Sequence, residues 1–172
     1  MSEVNEEEIN KKLQKFVGFK TGKSIYRAKG RKMVRFAKAI GSTDPRYTEI
    51  KKTDEGKKDY SDIVGHPAMP ACFTVQTGGA LYALDSLKND DGSKVITNMG
   101  KLLHTGQAYD YTGTIPITHK TKLYTYGTIT KIYVKSGMLW IETTLETKTK
   151  KDELVCTTIC TVGIRPGGWE VK

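Results

Sequence analysis

Apolar residues recur at helical spacing near the start of the chain, where Ile9, Leu13, Phe16 and Val17 follow the acidic run Glu6 to Glu8. Acidic residues suit the positive end of a helix dipole, so a short N-terminal helix is expected within residues 1–20. Lys23 to Ala28 reads as a first strand closed by Gly30. A second helical stripe, Met33, Val34, Ala37 and Ile40, stops at Gly41. Residues 45–66 are polar, charged and without period, and are expected to form a long lid-like loop. His66-Pro67-Ala68-Met69-Pro70-Ala71-Cys72-Phe73 follows. Its two prolines predict an extended lead-in, because the residue before each is pushed away from helix.

From Thr74 to Leu87 the pattern turns apolar nearly all round, through Val75, Ala80, Leu81, Ala83, Leu84 and Leu87. Such a helix is buried rather than amphipathic. Gly78-Gly79 in its middle costs about 1 kcal/mol per glycine relative to alanine. That is tolerable where a sheet or ligand must approach the backbone closely. Beyond it the period changes to two. Leu139, Ile141, Thr143 and Leu145 alternate with Trp140, Glu142, Thr144 and Glu146, the pattern of a half-buried strand. Leu154, Cys156, Thr158, Cys160, Val162 and Ile164 mark one face of another. Residues 102–111 and 118–135 complete the strand-rich half, and the length of the latter calls for a bend, expected as a bulge at Gly127. One buried helix followed by a long antiparallel meander predicts an α+β fold in a single domain, 1–172.

The chain has 172 residues, three cysteines and a formal net charge of +9. The charge favours anionic partners: nucleic acid, a membrane surface or the phosphates of a coenzyme. Its lysines are dispersed, which also suits an ordinary solvated surface. No apolar run reaches the ~20 residues of a membrane span, and no secretion signal is evident, so a cytoplasmic chain with reduced thiols is expected. Cys156 and Cys160 lie four apart on a strand as core side chains, and neither they nor His66 and His119 have zinc-site spacing, so no metal and no cofactor are expected. His66 and His119 flank turns and are expected to face solvent. Cys72 reads as a small buried residue rather than an activated thiol.

Gly41-Ser42-Thr43-Asp44-Pro45-Arg46-Tyr47 follows the second helix. It resembles the Gly-Asp-x-Asn-Pro-φ-His motif of the R-specific enoyl-CoA hydratases, the MaoC-like branch of the hotdog fold. Gly41 and Pro45 match; Ser42 replaces the Asp and Tyr47 the His. Phe36 to Gly41, Ala68 to Phe73, and Leu103-His104-Thr105-Gly106-Gln107 with Tyr109, Tyr111 and the Gly113 to Pro116 turn carry the rest of the resemblance. The third block departs from His-Gly-Glu-Gln at Thr105 and Gly106. In these blocks the chain is similar to the non-catalytic subunit of heterodimeric (R)-3-hydroxyacyl thioester dehydratases. The resemblance implies a hotdog sheet curled around one long buried central helix. It further implies an acyl-CoA or acyl-carrier thioester as ligand, and a second hotdog chain supplying the Asp/His pair. The candidate binding residues are Tyr47, Pro70, Cys72, Phe73, Gly78, Gly79, His104 and Gln107.

The chemistry supports that division. Hydration of an enoyl thioester needs a base for water, an acid for Cα and donors for the enolate-like oxygen. Backbone N–H groups at a helix start can hold the oxygen, whereas a serine hydroxyl and a phenol are poor bases at neutral pH. No catalytic residue is therefore expected in this chain. Asp44, at the family's Asn, and His104 are the weak candidates, and His104 could equally be a hydrogen-bonded strap between strands. Two alternatives stand beside this reading. One is a self-sufficient homodimeric hydratase or thioesterase, although no acidic residue lies between Met69 and Tyr82. The other is a basic nucleic-acid binder, which would need Tyr124, Tyr126 and Tyr133 exposed among Lys120, Lys122, Lys131 and Lys135. β-Propensity explains those tyrosines more simply, so nucleic acid is not the partner expected from the sequence.

Overall fold

The computed structural model describes residues 3–75, 84 and 86–172. Helix α1 (Glu3–Leu13) ends in a 3-10 turn, Gln14–Phe16, and leads into β1 (Lys20–Arg27). Helix α2 (Gly30–Ala39), the short α3 (Pro45–Thr48), a two-residue hairpin β2 (Lys51–Lys52) and β3 (Lys58–Asp59), and α4 (Ala71–Thr74) follow. The chain closes with β4 (Leu102–Asp110), β5 (Lys122–Lys135), β6 (Met138–Lys148) and β7 (Leu154–Ile164). The long strands form one antiparallel sheet in the order β1-β5-β6-β7-β4, so the architecture is α+β.

Burial follows the alternation read from the sequence. Leu139, Ile141, Thr143 and Leu145 are buried on β6 while their neighbours face outward, and Cys156, Thr158, Cys160, Val162 and Ile164 are buried on β7. The inner face carries two apolar clusters. One joins Leu13, Phe16, Leu84 and Leu87 to Ile129, Ile132, Ile141 and Leu145. The other joins Met33 and Val34 of α2 to Met69, Phe73, Leu123 and Val155. The α2 stripe is as expected except at Ile40, which is exposed at the helix end, before Gly41 with φ +78. The sequence reading of 74–87 as a buried helix falls largely on 76–83 and 85, with Gly78 and Gly79, outside the described residues. Its described flanks are helical at Ala71–Thr74 and fully buried at Leu84 and Leu87.

Several local expectations are corrected. Gly127 is not a bulge: it pairs in register with Leu145. The irregularities lie at Thr130 of β5 and across from Gly127 in β1, where Thr21 and Gly22 oppose one residue. Gly127 serves close approach instead, since a Cβ there would lie 2.0 Å from Thr21 Oγ1 and 2.8 Å from a Leu145 methyl. The Pro67–Phe73 stretch is not extended; it turns and begins α4 with Pro70 in the helical region, a position where the missing proline N–H costs nothing. The expected lid-like loop, residues 45–66, is not without structure, because it holds α3 and the small hairpin and anchors Ile63 in the core. His66 and His119 are half-buried rather than solvent-facing. His119 Nδ1 accepts the N–H of Gly30 at 2.9 Å, satisfying an orphan donor at the start of α2.

Helix α1 is tied to the sheet by an unusual device. β1 ends opposite Thr128, so the far part of β5 has no strand on that side among the described residues. The Asn10 side chain takes the place of one, donating to Val134 O at 3.1 Å and accepting from Val134 N at 2.5 Å. Glu6 accepts from Gly137 N at 2.9 Å. Asn10→Ala would leave both backbone groups of Val134 unpaired and is expected to lower stability by about 1–3 kcal/mol in urea unfolding. A loss below about 0.5 kcal/mol would show that water replaces the pairing without cost.

Candidate active site

The motif after α2 folds as a capped turn. Asp44 is the N-cap of α3 and accepts from Arg46 N at 2.9 Å, with Pro45 at the first helical position. Aspartate before proline at a helix start is a capping arrangement. The same carboxylate is gripped by the Arg46 side chain, at 3.1 Å from Nε and 2.6 Å from Nη2. The Arg46 hydrogen bonds hold the Asp44 carboxyl below the usual carboxylate range. A carboxylate so committed is a weaker base than a free one, and its stabilising effect on α3 is present above that range and lost as pH falls through it.

Tyr47 is half-buried and meets the His66 ring edge-on, with centroids 4.9 Å apart. Phe36 lies on the same imidazole at 6.3 Å. His66 Nδ1 accepts from Ala68 N at 3.1 Å. Hence an imidazole does stand next to the position where the motif's own is missing. Sequence reasoning missed this contact, for which a lone His before Pro gives no periodic signal. It also missed the Asp44–Arg46 pair, which the Asp-Pro-Arg spacing could have revealed. Beside Tyr47 opens a cleft of about 280 Å³ lined by Arg46, Tyr47, Val64, Pro67, Tyr111 and Ile117, among others. The Tyr111 hydroxyl donates to Pro67 O and its pKa is raised, first by burial.

The remaining candidates gather around α4. Pro70 is buried as its N-cap. Phe73 is 1% exposed and stacks on Tyr26 at 5.1 Å. Cys72 is half-buried, and burial pushes its thiol up despite nearby Lys32, which argues against an activated nucleophile. Gln107 Nε2 reaches Thr74 Oγ1 at 3.4 Å, joining β4 to α4. His104 lies away from this group in being exposed, on the edge strand β4 at a bulge opposite Val162. The side chain that straps β4 to β7 there is Thr105, whose hydroxyl donates to Thr161 O at 3.0 Å. Asp44 and His104 are not brought into contact with each other. Among the described residues no group of three or more His, Cys, Asp or Glu gathers to hold a metal ion.

The profile of the family described as "FAS1-like, dehydratase domain region" matches residues 15–158. The chain belongs to this dehydratase-region family. Its fold is the hotdog of MaoC-like dehydratases. The ChsH1-ChsH2 complex of Mycobacterium tuberculosis superposes with TM-score 0.62 at 13% identity, over 94% of this chain and 99% of that one. The HadBC (3R-hydroxyacyl-ACP dehydratase) complex of M. tuberculosis gives 0.62 at 13% identity, over 86% and 96%. The (R)-hydratase of A. caviae gives 0.54 at 14%, over 87% and 96%. A search of curated protein sequences returns no match. Among the described residues of this dehydratase-family chain, no helix is long and apolar enough to cross a membrane.

Proposed function

We propose that this chain is the acyl-thioester-binding subunit of an (R)-specific enoyl hydratase or 3-hydroxyacyl dehydratase, and that a partner hotdog chain supplies the Asp/His pair. The observation that carries the reading is the state of the motif after α2. The turn is kept, yet Tyr47 stands at the position of the histidine, and Asp44 is committed to capping α3 and to Arg46. A general base must be basic enough to take a proton from water, and neither the neutral Tyr47 phenol nor a carboxylate already held by Arg46 meets that need at neutral pH.

The partner joins along the outer edge of β4, one end of the sheet order, which pairs with no further strand among the described residues. The thioester of a coenzyme A or carrier-protein conjugate then lies along Tyr47, Cys72 and Gln107, with Pro70 and Phe73 backing the wall from the core and His104 at the rim. The basic surface suits the phosphate of either carrier in a cytoplasmic setting. The test is hydration of crotonyl-CoA by the purified chain, alone and mixed with a MaoC-like subunit that retains the Asp/His pair. Activity is expected in the mixture only. Full activity of the chain alone, abolished by His104→Ala, would replace this reading with a self-sufficient dimer.

A further inference from the structure

The thioester reading makes no use of the outer face of the sheet, where strand alternation has sorted a basic and aromatic strip into solvent. On β5 the inward side chains Leu123, Thr125 and Ile129 are buried, and Lys122, Tyr124, Tyr126 and Thr128 point the other way. The register sets Arg27 beside Lys122, Ile25 beside Tyr124 and Lys23 beside Tyr126. Tyr126 is 46% exposed and Ile25 53%. Tyr124 has cations on two sides, Lys23 Nζ at 5.5 Å and Lys122 Nζ at 5.4 Å from its ring centroid. A shallow cavity of about 430 Å³ continues the strip past Lys20 and Tyr126 to Thr144 and Glu146. The acidic side chains at its margin are ion-paired within the chain, Glu146 with Lys148 at 3.4 Å and Glu142 with Lys131 at 3.0 Å. The basic groups of β1 and the start of β5 therefore keep a positive excess.

We propose that this strip is a binding site for single-stranded nucleic acid. Charge complementarity selects an anionic partner, and the aromatic spacing selects one with stackable faces. Tyr124 and Tyr126 are two residues apart on an extended strand, about 6.8 Å. Two successive bases can stack on their rings while Lys20, Lys23, Arg27 and Lys122 meet the phosphate between them and those on either side. Base stacking on aromatics with a cationic border is sequence-tolerant, so no base preference is assigned. The sequence already contained these tyrosines and lysines. It did not reveal that β1 pairs with β5 and adds three cations to the same face.

The experiment uses the full chain and a fluorescein-labelled oligouridine of about 20 nucleotides, read by anisotropy between about 50 and 200 mM salt. Binding that weakens with salt is expected. Tyr124→Ala with Tyr126→Ala should weaken it at least about tenfold, while the double Phe variant retains it. Lys23→Gln and Lys122→Gln should each lower the slope of log K against log salt by about 0.7, which tests the site even if the alanine pair fails to fold. Three results would overturn the proposal. They are no binding at low salt, equal binding of heparin with silent tyrosine substitutions, and self-association through this face, seen as dimers that the tyrosine variants dissolve.

Discussion

Phe73→Ala is expected to lower the unfolding free energy by about 3–5 kcal/mol, among the largest single-residue effects in the chain. Phe73 is fully enclosed between α2, β1 and the 63–69 segment, in the cluster with Met33, Ile63, Met69 and Leu123. Deleting its ring removes the transfer energy of the side chain and leaves a cavity that rigid β-sheet neighbours fill poorly. The stack on Tyr26 adds about 0.5–1.5 kcal/mol beyond area burial. For a domain of this size the loss corresponds to a fall in Tm of roughly 6–20 °C. Urea unfolding should show a lower midpoint at unchanged slope. A loss under about 1 kcal/mol would mean that the ring lines an open channel rather than the core.

Phe73 also shows where sequence reading loses resolution. The resemblance placed Pro70, Cys72 and Phe73 together on a substrate wall, because motif matching has no burial coordinate. Helix α4 starts at Ala71 and turns successive residues by about 100°. Phe73 therefore enters the core while Cys72 stays half-buried beside Lys32. Elements with sustained period were legible: the stripe Met33-Val34-Ala37 and the alternation on β6 and β7 survive because burial itself imposes those periods. The short α3 and the β2–β3 hairpin were not, since four residues or two carry no period. Their signals are an N-cap and a few turn bonds such as Thr53 N to Lys57 O. The bulge was misplaced onto Gly127 for a related reason. A glycine in a strand marks either a bulge or a close approach, and only the three-dimensional neighbours, Thr21 and Leu145, decide between them. In the site, the absence of a histidine from residues 41–47 is a plain fact of the sequence. The Tyr47–His66 contact joins α3 to the turn that begins at His66, across the irregular 49–65 segment, and left no local trace.

Restoring the motif in the triple variant Ser42→Asp, Asp44→Asn and Tyr47→His is expected to confer crotonyl-CoA hydration on the chain alone, with kcat/KM rising at least about 100-fold over the parent. General acid–base groups in place contribute about 10²–10⁴. The backbone favours the experiment. Asparagine retains N-cap ability at position 44, while loss of the carboxylate frees Arg46 from its fork. Ser42 is half-buried just past the C-terminus of α2, where its N–H bonds Ala37 O at 2.9 Å. A carboxylate there meets the negative end of the helix dipole, which raises its basicity in the direction a general base requires. Histidine at 47 would sit against His66, and the latter's hydrogen bond from Ala68 N fixes its own ring. A folded triple variant that stays inactive alone, yet supports activity in the mixture, would place the deficit in the partner-completed half of the tunnel. A variant that gains activity alone would show that the substrate path is complete within copies of this chain, and that three side chains separate a binding subunit from an enzyme.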